Sequence, residues 1–174
     1  MFLKNRIFRI ILSAFSVFLL LFSVSCKKND TLKYSGDNFS FIKPEQWSAV
    51  ENVANTLVYY EKQVYSLTEG FNPVISISGG DNEKNVPDDY LESIVKILSD
   101  AVLQFNVVYS GDYNKKPAKR LIYTGLMGET AIKWDMVFFV KKNKSYIVTY
   151  TCLPGDYEEY LPDFYKVADS FRLK

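Results

Sequence analysis

The chain has 174 residues, with 21 lysines and arginines against 20 acidic residues and no histidine. A near-neutral balance gives no electrostatic footprint for nucleic acid. Lack of histidine removes Ser-His-Asp and Cys-His catalysis together with the commonest metal ligand.

The amino terminus carries Lys4, Arg6 and Arg9 without an acid, then an apolar run from Ile10 to Phe22, then Ser23-Val24-Ser25 before Cys26. That order is the charged region, short apolar region and small-residue cleavage site of an export signal over residues 1–25. The run falls short of the roughly 20 apolar residues a bilayer-crossing helix needs, which favours a cleaved signal over a permanent span. A thiol next to the cleavage point can be acylated, and small Ser25 fits a peptidase pocket. The segment resembles the bacterial lipobox, with Ser23 standing where that motif usually has leucine. The resemblance implies that Cys26 is the lipid-attachment residue, against an ordinary secretory signal or an uncleaved anchor containing a cysteine. Burial is worth about 0.8 kcal/mol per methylene, so several acyl chains hold a protein firmly on a membrane. Lys27 in place of aspartate resembles the sorting pattern of Gram-negative lipoproteins and implies a cell-envelope location at the outer rather than the inner membrane.

With the signal removed the balance becomes 18 bases to 20 acids. Once Cys26 carries lipid, Cys152 is the sole thiol and no disulfide can form within a monomer. The 148 residues after Cys26 suit one domain, burying about 68–70% of its unfolded surface. Its high tyrosine and phenylalanine content supplies the apolar area. Residues 26–37, polar and containing Gly36 and Asp37, read as a lipidated tether, and 38–174 as the domain.

Phe39 and Phe41 alternate with Ser40 in a first strand ending at Pro44. Trp47 to Val53, Thr56 to Lys62 and Val74 to Ser78 follow, the last closed by Gly79-Gly80. Leu91, Ile94, Val95, Leu98, Ala101, Val102 and Phe105 recur at helical spacing and predict a helix over about 88–105, with Asp89 and Glu92 as a capping box. Strands return at Asn106–Tyr109, Ala118–Leu126, Thr130–Lys141 and Lys144–Cys152, with Lys142-Asn143 as a hairpin turn. In the third of these, Ile132, Trp134, Met136, Phe138 and Val140 face one way and Lys133 and Asp135 the other, so one face is expected to be core. A closing helix is expected from Asp156 to about Phe171, capped by Asp156 and Glu159, with Pro162 kinking it or setting off a separate turn. Antiparallel hairpins covered by helices make an α+β domain layered helix, sheet, helix.

Two stretches carry a resemblance. Phe39-Ser40-Phe41-Ile42-Lys43-Pro44-Glu45-Gln46-Trp47 and the ending Tyr146-Ile147-Val148-Thr149-Tyr150-Thr151 through Tyr160, Phe164, Val167 and Ser170-Phe171 resemble the opening and closing motifs of PsbP-like proteins, which share a fold with the Mog-type Ran-binding proteins. The match spans residues 38–172. It implies an α/β/α sandwich around an antiparallel sheet, and relatives that serve as extrinsic subunits, assembly factors or envelope lipoproteins rather than enzymes. The motifs imply packing roles: Trp47 under the first turn, Phe171 docking the last helix, Thr149 on the sheet. Photosystem-associated members work on a manganese cluster and some bind metal through histidine, neither of which carries over to a chain without histidine.

Cys152 ends an apolar strand and reads as a buried small side chain rather than a nucleophile. The acid-rich stretch after Gly79-Gly80, with Asp81, Glu83 and Asp88, is a candidate cation loop, weighed against a solvated turn leading to a helix cap. It matches no EF-hand, and no Gly-Lys-Ser/Thr follows to make a phosphate loop. Tyr59, Tyr60, Tyr65, Tyr109, Tyr113, Tyr123, Tyr157 and Tyr160 exceed what one core needs, so some are expected on the surface. Together these readings give a non-catalytic protein without a cofactor, held on a membrane by lipid on Cys26 and serving a protein partner or an assembly step. The rival readings are a small-ligand or cation carrier using the groove between sheet and helix or the 79–89 loop, and an enzyme working with carboxylates alone.

Overall fold

The computed structural model describes residues 32–64, 71–81, 90–114, 117–141 and 144–174. Its framework is the second half of the chain, where long alternating runs form β6 (Leu103–Asp112), β7 (Ala118–Met127), β8 (Thr130–Lys141) and β9 (Lys144–Cys152). Each pairs antiparallel with the next, and β5 (Val74–Asp81) joins the far side of β9. The shorter β4 (Val58–Glu61) and β3 (Ser48–Ala49) complete a seven-stranded sheet in the order β3-β4-β5-β9-β8-β7-β6. A second sheet sets β2 (Phe39–Ile42) between β1 (Lys33–Ser35) and β10 (Arg172–Leu173).

The large sheet is covered on both faces. Helix α1 (Tyr90–Ala101) lies on one, where Leu91, Ile94, Val95 and Leu98 pack on Leu121, Tyr123 and Phe138. Helix α2 (Tyr157–Ser170) and the small sheet lie on the other, around Ile75, Ile77, Val137, Val148, Tyr150 and Phe164. This is the expected α+β sandwich, with a small sheet added to the α2 layer.

Several expectations change. Within the segment assigned to a tether, residues 33–35 form β1, where Tyr34 stacks on Phe39 and Phe41. Trp47 to Val53 shrinks to two strand residues, with Asn52 and Asn55 at positive φ turning the chain toward β4. Helix α1 stops at Ala101, where Val102 N–H makes its bond to the Leu98 carbonyl, and Gln104 at φ 53 ends any helical path. Phe105 belongs to β6, yet still packs on the α1 side with its ring 5.1 Å from Tyr123. Asp89 lies outside the described residues, so its capping box does too. Asp156 makes no side-chain cap bond. It belongs to a 3₁₀ turn (Pro154–Asp156) that runs directly into α2, so the backbone is already helical at the place where a capping residue would be extended. Helix α2 passes through Pro162 as one α-helix.

The largest revision concerns β8. Its polar face is core as well, since Asp135 is 0% exposed alongside Val137 and Phe139. A carboxylate at that depth needs partners.

Candidate functional site

The partners come from three elements. Asp135 on β8 accepts from Arg120 Nε at 2.9 Å and from Arg120 Nη2, and from the Tyr157 hydroxyl at 2.7 Å. Arg120 sits on β7 opposite Val137, two residues along β8 from Asp135, so both side chains leave the sheet on the α2 face. Tyr157 opens α2 and meets them from above, also accepting from Arg120 Nη2 at 3.2 Å. The guanidinium lies among the rings of Tyr165 (5.1 Å), Tyr109 (6.0 Å) and Tyr113 (6.0 Å), and Lys133 Nζ sits 3.3 Å from the Tyr157 ring centre. The Tyr113 hydroxyl donates to Asp169 at 3.1 Å, which ties the end of β6 to α2.

Electrostatics hold the protons of Arg120, Tyr157 and Tyr113 in place. Burial works against the Arg120 charge, but the hydrogen bonds and charge of Asp135 outweigh it and raise the guanidinium above its ordinary value. Burial first and the Asp135 charge second push the Tyr157 phenol up; burial and Asp169 do the same for Tyr113. All three shifts carry these groups further from neutral pH. The arrangement clamps β7, β8 and α2 together, and among the described residues no buried side-chain polar atom lacks a partner.

Cys152 closes β9 at 0% exposure, with burial pushing its thiol up to about 11. It is a packed side chain, as its place on an apolar strand suggests.

An open pocket of about 520 Å³ lies where β8 ends against β10, lined by Pro117, Phe139, Val140, Phe171 and Leu173 with Lys141 and Arg172. Its floor is the Phe139 and Phe171 rings, 4.6 Å apart.

No protein-family model matches the chain, and no curated protein does. Among solved structures, cyanobacterial PsbP (CyanoP) of Synechocystis is 19% identical, with a TM-score of 0.57 over 82% of this chain and 91% of that one. LpqN, involved in cell envelope biogenesis of Mycobacterium tuberculosis, is 10% identical, with a TM-score of 0.56 over 78% of this chain and 83% of that one. The fold is PsbP-like. PA94, a Pseudomonas aeruginosa protein of unknown function, has the same architecture at 17% identity, with a TM-score of 0.53 over 75% of this chain and 88% of that one. None of the three is named for an enzymatic activity.

Within the PsbP-like domain the motif residues are packing devices. Trp47 lies against α2 rather than under the first turn: its Nε1 donates to Asp163 at 2.9 Å and its ring meets Tyr160 edge-on. Phe171 is buried at the end of α2 against Phe39, Phe139 and Tyr146. Thr149 lies mid-sheet between Ser76 and Met136.

The tyrosine surplus is mostly internal. Tyr60, Tyr113, Tyr123 and Tyr157 are buried, Tyr59 and Tyr160 half-buried, Tyr109 exposed, and Tyr65 outside the described residues. Two of the buried ones, Tyr113 and Tyr157, donate to carboxylates on the α2 face. Of the acid-rich stretch, Asp81 is the last residue of β5, while Glu83 and Asp88 fall outside the described residues, as does Cys26. Among the described residues no three side chains are grouped to hold a metal ion.

Sequence reasoning missed the exposed edge of the domain. Among the described residues strand β6 has a neighbour on one side only, and Leu103, Val107, Val108 and Tyr109 are exposed along it. Ile97 of α1 and Met127, next to the Leu126 that pairs with Leu103, extend the apolar surface. Although α1 is amphipathic, none of its residues is fully buried.

Proposed function

We propose that the chain is a non-catalytic cell-envelope protein, held on a membrane by lipid on Cys26, whose PsbP-like domain docks a protein partner along β6 and α1. The observation that carries the docking is the apolar exposure there: Ile97 is 61% exposed, Leu103 67% and Val108 53%. Large apolar side chains gathered on an open sheet edge mark interaction surfaces, since an extended segment of a partner can continue the ladder and cover them. The anchor rests on the sequence of the segment leading to Cys26. No helix among the described residues is long and apolar enough to cross a membrane, so attachment through lipid is consistent with the described part of the chain. LpqN supports an envelope role, being a protein of this fold involved in cell envelope biogenesis.

Two measurements test the proposal. Intact mass of membrane-extracted protein, beside a Cys26→Ser variant, is expected to show a lipid-bearing mature chain beginning at residue 26 and release of the variant from the membrane fraction. An unmodified thiol at position 26 ends the anchored reading. In-cell crosslinking is expected to capture a discrete partner that is lost in an Ile97→Lys/Val108→Lys variant retaining its thermal transition; unchanged capture moves the interface elsewhere.

A further inference from the structure

The pocket at the end of β8 has a one-sided chemistry. Its floor and walls come from Phe139, Val140, Phe171 and Leu173, and among the described residues its charged lining consists of Lys141 and Arg172, with no carboxylate. Arg172 Nη1 donates to the Asp169 and Phe171 carbonyls, which fixes the guanidinium at the end of α2, and Lys141 is exposed. Neither cation has a carboxylate partner among the described residues. Two other surface lysines do pair, Lys119 with Asp112 and Lys166 with Glu45. The volume of about 520 Å³ falls in the roughly 300–1,000 Å³ range of small-molecule sites, which are mostly apolar with a few placed polar groups.

We propose that this pocket binds a single-chain anionic amphiphile, its alkyl chain on the Phe139 and Phe171 rings and its anionic head between Lys141 and Arg172. An apolar body matches the walls, and a negative head supplies the charge that both cations lack. An uncharged apolar ligand would leave the two cations beside it partly desolvated and unpaired. The choice of an alkyl rather than an aromatic body rests on the membrane location proposed above, where such molecules are concentrated. The head is a carboxylate, as in a fatty acid, or a phosphate, as in a lysophospholipid, because both accept from a guanidinium and an ammonium.

The test uses the full chain in phosphatidylcholine nanodiscs with a diazirine-bearing palmitate as photoprobe. Labelled peptides are expected to contain residues 139–141 and 171–173. Palmitate or lysophosphatidate is expected to compete, the stronger competitor naming the head group, whereas hexadecanol is not. A Lys141→Glu/Arg172→Glu variant with a normal circular dichroism spectrum is expected to lose labelling at least tenfold; if the double variant does not fold, Lys141→Glu alone serves, with a several-fold loss. Labelling spread evenly over the surface, equal competition by hexadecanol, or unchanged labelling of the charge variants overturns the proposal. The intact mass of the same preparation reports separately on the lipid at Cys26, so failure of the pocket and failure of the anchor are distinguishable.

Discussion

Replacing Asp135 with asparagine keeps the shape of the β8 core but leaves the Arg120 charge without its counter-ion. Removing one member of a buried pair costs about 3–5 kcal/mol, most of it the penalty on the charge left behind. The Arg120 side chain retains 15% exposure, so water softens that penalty and the lower end, about 3 kcal/mol, is expected. At roughly 3 °C per kcal/mol for a domain of this size, Tm falls by about 9 °C. The triple variant Arg120→Met/Asp135→Leu/Tyr157→Phe removes every polar member of the cage core together, including the phenol that would otherwise lose its acceptor. Apolar replacement of a whole buried pair is often neutral or stabilising, so this variant is expected within about 1 kcal/mol of the wild type or above it. Urea denaturation followed by circular dichroism measures both. A triple variant as unstable as Asp135→Asn would refute the argument, because the loss would then lie in packing rather than in an orphaned charge.

Gly79 has φ +119, and a Cβ there would lie against the Ser145 carbonyl oxygen of β9, whereas nothing stands within 4 Å of one at Gly80. Gly79→Ala is expected to cost about 3 kcal/mol and Gly80→Ala less than about 1 kcal/mol, with equal losses counting against this contrast in thermal melts. Trp47→Phe deletes the donor to Asp163 and is expected to cost about 1.5–3 kcal/mol in the urea midpoint, as for a hydrogen bond to a charged group; a change below about 0.5 kcal/mol would show that bond to be idle. Burial pushes the Cys152 thiol up from 9.0 to about 11 and the Tyr123 phenol up from 10.0 to about 12. The unfolded chain therefore releases these protons first, and stability, level below about pH 9, is expected to decline from there to about pH 12. Tm against pH, with tyrosinate absorbance recorded alongside, checks this, and complete phenol titration near pH 10 in the folded protein would contradict it.

Most of the sandwich can be read along the chain because its signals are local. The stripe Leu91, Ile94, Val95, Leu98 and the alternation of β7 to β9 each report one element by periodicity. What escapes is information held between elements. Arg120 and Asp135 are 15 residues apart and look like surface charges until the β7–β8 register places them together. A usable signal was present: the Gly128-Glu129 turn, with Gly128 at φ +64 as a two-residue hairpin allows, pairs Met127 with Thr130 and fixes every later pair on these strands. The short strands β1 and β10 fail for another reason. Three residues and two carry no periodicity of their own, and they exist because β2 offers them two free edges.

That small sheet sets a schedule for maturation. Since β2 is flanked by residues 33–35 on one side and 172–173 on the other, its ladder cannot close until the ribosome has released residue 173. Any partial chain that lacks its last three residues therefore leaves one edge of β2 open.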